Sequence, residues 1–182
     1  MDPFGLCPAS TSSSNNYSLD SHYGINLLTL QANPAPVFDA RTENNIATLL
    51  PPVQDLARQQ IYQAQQGGID ARVISGSRTY AQQDALYAQG RTSPGSIVTN
   101  AQGGYSNHNF GVAFDIGVFS STGKYIDDGP QYTTLGTIGK NLGLEWGGDW
   151  KNIVDRPHFQ YPTGMTLQQM RDSVSRGVPV IR

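Results

Sequence analysis

Cysteine is almost absent from this 182-residue chain, in which Cys7 stands alone. A single thiol closes no intramolecular disulfide and builds no multi-thiolate zinc knuckle, so any metal must be held by imidazoles and carboxylates. Charge is also scarce. Charged residues are 14% of the chain, with 12 Lys and Arg against 14 Asp and Glu, where roughly 25% is usual for a soluble domain. A net charge of −2 leaves no electrostatic footprint for a nucleic-acid backbone or an anionic membrane, and no nucleic-acid partner is expected. No apolar run approaches the about 20 residues that cross a bilayer, so no membrane insertion is expected. The first basic residue is Arg41, so the amino terminus shows neither the positive nor the apolar region of a secretory signal. The expectation is synthesis in the cytoplasm without a signal peptide.

What is abundant is glycine, at 20 residues, with 11 prolines, and Asn, Gln, Ser and Thr supply the polarity. The length suits one ordinary domain with a core of its own. No internal repeat is visible. Residues 1–40 read as an irregular amino-terminal arm, Ser- and Asn-rich, with a short apolar patch at Ile25, Leu27, Leu28 and Leu30 that can dock on the domain at 41–182. From Thr42 the pattern becomes helical: Ile46, Leu49, Leu50, Val53, Leu56, Ala57, Ile61 and Ala64 recur at spacings of three and four, one apolar stripe. Pro51 and Pro52 break or restart it, and Gly67-Gly68 ends it.

A β-branched stretch, Ile69 to Ser75, reads as a strand. Thr79 with Gln82 forms a capping box for a helix running to Gln89, and Arg91 to Tyr105 is a long polar loop, a candidate cleft wall. Phe110, Val112, Phe114, Ile116 and Val118 alternate with small or polar residues, the period of a half-buried strand. A helix around Leu135, Ile138 and Leu142, strand segments at Leu144–Trp146 and His158–Tyr161, and a last helix opened by Thr166 and Gln169 complete the series. The fold class expected is α+β: helices packed on a small, mostly antiparallel sheet.

Two segments gather polar groups within apolar surroundings: Ser106 to Asp115, and Glu145 to Trp150 continuing through Asp155 to Phe159. On the alternating strand Asp115 faces away from Phe114 and Ile116, with the small residues Gly111 and Ala113 on its own side. Taken singly, Asp115 reads as a solvated carboxylate and His108 as a loop histidine. Together, His108, Asp115 and His158 are two imidazoles and a carboxylate, the protein ligands of a zinc site that keeps a fourth position open. The spacing raises one difficulty. His108 and Asp115 are seven residues apart, which in a regular strand puts them on opposite faces. The chain must therefore bend between them, and Gly111 is the natural place. Pro157 disfavours helix at Arg156, so Asp155 to His158 reads as a tight turn entering a strand. Asp155 is then either a turn-capping aspartate or a carboxylate set beside a metal, where it can move protons.

Ser106-x-His108-x-x-Gly111-x-Ala113-x-Asp115 followed by Asp155-x-x-His158 resembles the zinc signature of the D-alanyl-D-alanine carboxypeptidase and dipeptidase family, nearest its L-alanyl-D-glutamate endopeptidase branch among phage endolysins. Three further blocks carry the likeness: Ser75 to Tyr80 with Gln83, Leu86 and Tyr87; Gln89 to Thr92 with Val98 to Ala101; and Glu145 to Trp150. The likeness runs from about residue 42 to about residue 162, and its five blocks keep the family's order. It implies a hedgehog and D-Ala-D-Ala peptidase-like fold, one zinc ion on His108, Asp115 and His158, and Asp155 as general base and acid. Many relatives have Glu at that last position, so the shorter Asp155 must come closer. The likeness also makes Arg78 the stabiliser of the oxyanion and places Gln83 and Ser106 along the substrate cleft.

The activity implied is hydrolysis of the peptidoglycan stem peptide, at the L-Ala-D-Glu bond first. The runner-up is removal of terminal D-Ala on the same scaffold. A non-catalytic metal-binding module is the third reading, which the presence of both Arg78 and Asp155 opposes. Cys7 lies in the arm with no neighbouring histidine and is not expected to be a nucleophile, and His22 reads as a surface residue of that arm. The short flanks fit a monomeric single-domain lysin that reaches the cell wall in the periplasm after lysis, through a holin or through dedicated secretion machinery. An antibacterial effector, whose producer would carry an immunity protein, fits equally.

Overall fold

The computed structural model describes residues 38–181, and Cys7, His22 and the apolar patch of the arm lie outside them. The described residues include Phe38 and Asp39, just before the boundary expected at residue 41. Phe38 is buried, and the Asp39 carboxylate accepts from the Arg41 and Thr42 N–H groups at 3.0 Å each, capping α1 (Ala40–Ala47). The apolar stripe forms two helices. Leu50 is the N-cap and Pro51 the first residue of α2 (Pro51–Gln66), where proline's missing N–H does no harm. Ile46, Val53, Ala57, Ile61 and Ala64 of the stripe are fully buried.

The next elements are β1 (Asp70–Ser75), α3 (Tyr80–Ala88), a 3-10 turn at Asn107–Phe110, β2 (Ala113–Phe119), β3 (Tyr125–Ile126) and α4 (Pro130–Asn141). They are followed by β4 (Glu145–Trp146), a 3-10 turn at Gly147–Asp149, β5 (His158–Gln160) and α5 (Leu167–Ser175). The sheet runs β1-β2-β5-β4, with β3 paired to β2, and every pairing is antiparallel. This is the α+β arrangement expected. Both capping boxes form, Thr79 with Gln82 and Thr166 with Gln169. One expected element starts late: Phe110 and Val112 precede β2, because Asn107–Phe110 winds into the 3-10 turn. The β3 strand carries too short a pattern to be read from sequence.

Phe114, Ile116 and Val118 point from β2 into the core, with Val73 of β1, Phe159 of β5 and Trp146 of β4. Helices α1 and α2 pack on β1, and α4 packs on α2 and β4. Asp115 faces away from these core residues, and the 3-10 turn at Asn107–Phe110 packs on β2.

Candidate metal centre

Strand register assembles the centre. Asp115 lies between Ser75 of β1 and His158 of β5 as a direct cross-strand neighbour of both, so one row across three strands carries a hydroxyl, a carboxylate and an imidazole. The register shift between Val73 and Ser75 brings Ser75 into that row. His108 arrives from outside the sheet, on the 3-10 turn that Ser106 caps, with the Ser106 hydroxyl accepting from the His108 N–H at 3.4 Å. The bend required at Gly111 is present: its φ is 70°, a left-handed conformation that glycine adopts without strain. The Gly111 carbonyl accepts from Leu50 N–H at 3.0 Å, which ties the turn to the helix break at Pro51.

His108 Nε2, His158 Nδ1 and an Asp115 carboxylate oxygen converge. Their separations are 3.3 Å between the imidazoles and 3.2 Å from each imidazole to Asp115 Oδ1. Hydrogen bonding on the far side of each ring shows what these atoms offer. His108 Nδ1 lies 2.8 Å from the Gly76 carbonyl, which only accepts, so Nδ1 carries the proton and Nε2 presents a lone pair. His158 Nε2 lies 3.0 Å from Gln160 Oε1, also an acceptor, so its Nδ1 faces inward bare. Three lone-pair atoms thus share one point, an arrangement a cation stabilises. Tetrahedral zinc, with bonds of about 2.0–2.1 Å, holds its ligand atoms about 3.3 Å apart. The residues present fit that group, and the outer hydrogen bonds on both imidazoles are those that usually orient metal-binding histidines.

The electrostatics agree. Burial pushes the Asp115 carboxyl up, but the His108 and His158 imidazoles outweigh it and hold Asp115 well below the usual carboxylate range. Burial pushes His158 down, and Asp115 beside it more than reverses this, so His158 sits above its ordinary value. Proton and metal compete for the same Nδ1.

Arg78 borders the centre. Its Nη2 donates to Asp115 Oδ2 at 2.8 Å and to Ser75 Oγ at 3.0 Å, its Nε to Ser75 Oγ at 3.2 Å, and its Nη1 to Gln83 Oε1 at 3.0 Å. Nη1 carries two hydrogens, so one N–H remains without a partner among the described residues. Asp155 is half-buried, and its carboxylate accepts no hydrogen bond among the described residues. Burial first, and the Asp115 charge second, push its carboxyl up. The turn that presents it rests on Gly147, whose carbonyl accepts from Asp155 N–H at 3.0 Å. A Cβ at Gly147 would collide with the Asp155 carbonyl.

All seven residues singled out from sequence lie in or against this region, and one, Gln83, sits differently from expectation. Gln83 does not line a cleft: it is 0% exposed, accepts from Arg78, and donates to the Ala101 carbonyl at 2.9 Å and Thr99 Oγ1 at 3.3 Å. It thereby fastens the 91–105 loop to the arginine. Ser106 acts as the helix cap described above. Of the two acids in the Glu145–Trp150 segment, Asp149 pairs outward with Lys140 at 2.9 Å. Glu145 instead reaches Gln160. Sequence reasoning missed Gly76, Asn107 and Gln160, of which only Gln160 left a signal, two residues beyond His158 on the same strand face.

Residues 99–161 match the family model described as D-alanyl-D-alanine carboxypeptidase, a span that holds His108, Asp115, Asp155 and His158 and leaves out Arg78 and Gln83. The chain is 44% identical over 102 residues to the peptidoglycan L-alanyl-D-glutamate endopeptidase CwlK of Bacillus subtilis, covering 51% of this chain and 61% of that protein. It is 30% identical over 126 residues to the L-alanyl-D-glutamate peptidase of Listeria phage A118, covering 67% of this chain and 41% of the relative. The chain therefore spans about half the length of these curated relatives. Among solved structures, the Serratia marcescens L-Ala D-Glu endopeptidase ChiX aligns with a TM-score of 0.54 at 23% identity, over 74% of this chain and 96% of that one. That likeness shows the fold. The resemblance read from the motifs is borne out: the chain is similar to the D-alanyl-D-alanine carboxypeptidase model over residues 99–161 and to L-alanyl-D-glutamate peptidases over a longer stretch. The two relatives named here both carry the L-alanyl-D-glutamate name.

Proposed function

We propose that this domain is a zinc-dependent peptidoglycan hydrolase that cleaves the stem peptide at the L-Ala-D-Glu bond with one zinc ion. The observation that carries the reading is the convergence of three potential ligand atoms, 3.2–3.3 Å apart, beside a half-buried carboxylate and an arginine with an N–H to spare. His108, Asp115 and His158 would hold the ion, which when bound supplies Lewis acidity and lowers the pKa of water from 15.7 toward about 7.

The protein's own groups do the rest. Asp155, with its carboxyl pushed up by burial and by Asp115, is suited to take the proton of the attacking water and return it to the departing amine. Arg78 directs its remaining Nη1 N–H toward the oxygen on which charge develops, and its other hydrogen bonds fix the guanidinium beforehand. Gln83 serves by holding Arg78. Trp150 lies tilted against His158, 5.0 Å between ring centroids.

No helix among the described residues is long and apolar enough to cross a membrane, and we place the site of action at the cell wall. Purified muropeptides digested with zinc-loaded protein and analysed by mass spectrometry provide the test. Products beginning at D-Glu, abolished by a chelator and restored by zinc, are expected. Release of free D-Ala instead moves the chain to the carboxypeptidase activity that its family model names. Full zinc occupancy with no cleavage leaves a metal-binding module.

A further inference from the structure

The hydrogen bond from His158 to Gln160 is the first link of a longer polar chain. Gln160 Oε1 accepts from His158 Nε2 at 3.0 Å and from Asn107 Nδ2 at 2.6 Å, and Gln160 Nε2 donates to Glu145 Oε2 at 2.6 Å. The far partner settles the orientation of the amide. An ionised carboxylate only accepts, so the Gln160 NH2 group must face Glu145 and its oxygen must face His158. That oxygen in turn requires a proton on His158 Nε2, which leaves Nδ1 bare toward His108 and Asp115. Register builds the chain: Glu145 of β4 pairs directly with Gln160 of β5, and Asn107 reaches in from the 3-10 turn that also presents His108.

We infer that Glu145, Gln160 and Asn107 form a carboxylate-amide-histidine relay that selects the His158 tautomer and strengthens its hold on the metal. Glu145 is an exposed carboxylate whose charge is transmitted through the polarised amide, so His158 behaves as a histidine backed by a carboxylate does in other metal sites. Because Gln160 Oε1 also takes the Asn107 donor, the residue next to one ligand is fastened to the outer nitrogen of the other. Gln160 and Glu145 are positioning residues, acting through His158. The inference rests on the zinc reading above and deepens it.

The test measures zinc affinity by competition with a chromophoric chelator, alongside melting of the metal-free proteins. Gln160→Leu removes the acceptor and is expected to weaken zinc binding by about 10–100-fold, the usual effect of losing an outer hydrogen-bond partner. The double exchange Glu145→Gln with Gln160→Glu keeps every hydrogen bond, reverses donor and acceptor only between positions 145 and 160, and places the carboxylate directly on the imidazole. It is expected to restore at least wild-type affinity, which a merely structural role for Gln160 does not require. In nitrogen-15 NMR of the zinc-loaded protein, His158 Nε2 is expected to keep its proton while Nδ1 binds the ion. Affinity of Gln160→Leu within about twofold of wild type, a double exchange no tighter than Gln160→Leu, or metal on Nε2 overturns the inference. Wild-type protein that takes up no zinc overturns the metal reading itself and the relay with it, a result distinguishable from tight wild-type binding that the variants leave unchanged.

Discussion

Replacing Arg78 by lysine keeps the positive charge and removes the geometry. The guanidinium bridges Ser75, Gln83 and Asp115 from three nitrogens at once, over distances of 2.8–3.2 Å. A lysine ammonium is a single point on a flexible stem and cannot present that planar fork. Asp115 keeps a cation nearby, so the folding penalty is that of a weakened charged hydrogen bond, at most about 1.5–3 kcal/mol. The catalytic penalty is larger. The spare N–H toward the oxyanion is lost, and one such donor is worth about 100- to 1000-fold in kcat. The interaction is made only in the transition state, so KM should stay within a few-fold of wild type. Zinc content should not change, because all three ligand side chains remain. The assay is hydrolysis of a purified muropeptide followed by chromatography, with zinc measured on the same samples. A kcat for Arg78→Lys within about threefold of wild type removes the arginine from the oxyanion role. A fall in kcat matched by loss of zinc assigns Arg78 to holding Asp115 alone.

Asp155→Ala should keep the wild-type zinc content while activity falls about 100- to 10,000-fold, the range of a general acid-base group. His158→Ala should lose both, and metal analysis that finds full zinc in His158→Ala takes that residue out of the ligand set. A stability prediction concerns Asp39, the cap of α1. Burial pushes its carboxyl up, but the Thr42 hydroxyl with the Thr42 and Arg41 N–H groups more than offsets this and leaves it below the usual carboxylate range. A carboxyl lowered on folding stabilises the fold above its unfolded value, about 3.9, and that contribution is lost as pH falls through the folded value. Asp39→Ala should therefore cost about 0.5–2 kcal/mol near neutral pH, and the gap in melting temperature from wild type should narrow in acid. A gap that stays constant from about pH 7 down to about pH 2 contradicts this assignment of the cap.

The sequence by itself determined which side chains are available as metal ligands and much of the local structure. With one cysteine, only imidazoles and carboxylates were left for a metal, and two of the three histidines fall in the two segments that carry the family motifs. The capping boxes at Thr79 and Thr166, the apolar stripe from Ile46 to Ala64 and the bend at Gly111 were all legible, because each rests on residues within one or two turns of one another. Gln83 and Ser106 were found by position, but their roles were not. A glutamine facing a cleft and one buried beneath it look alike along the chain, and only the packing of the 91–105 loop on α3 decides between them.

The tertiary structure alone decided how the pieces meet. The row Ser75, Asp115, His158 exists because β1, β2 and β5 pair in that register, and one residue of slip would turn Asp115 into the core. The proton on His108 Nδ1 is placed by the Gly76 carbonyl, a backbone acceptor of which no side chain gives notice. Glu145 and Gln160, 15 residues apart, become one hydrogen-bonded unit only when β4 pairs with β5. Sequence names the groups that can do the chemistry; which atoms of those groups face one another is settled by pairings between distant strands, because hydrogen-bond direction depends on register rather than on spacing along the chain.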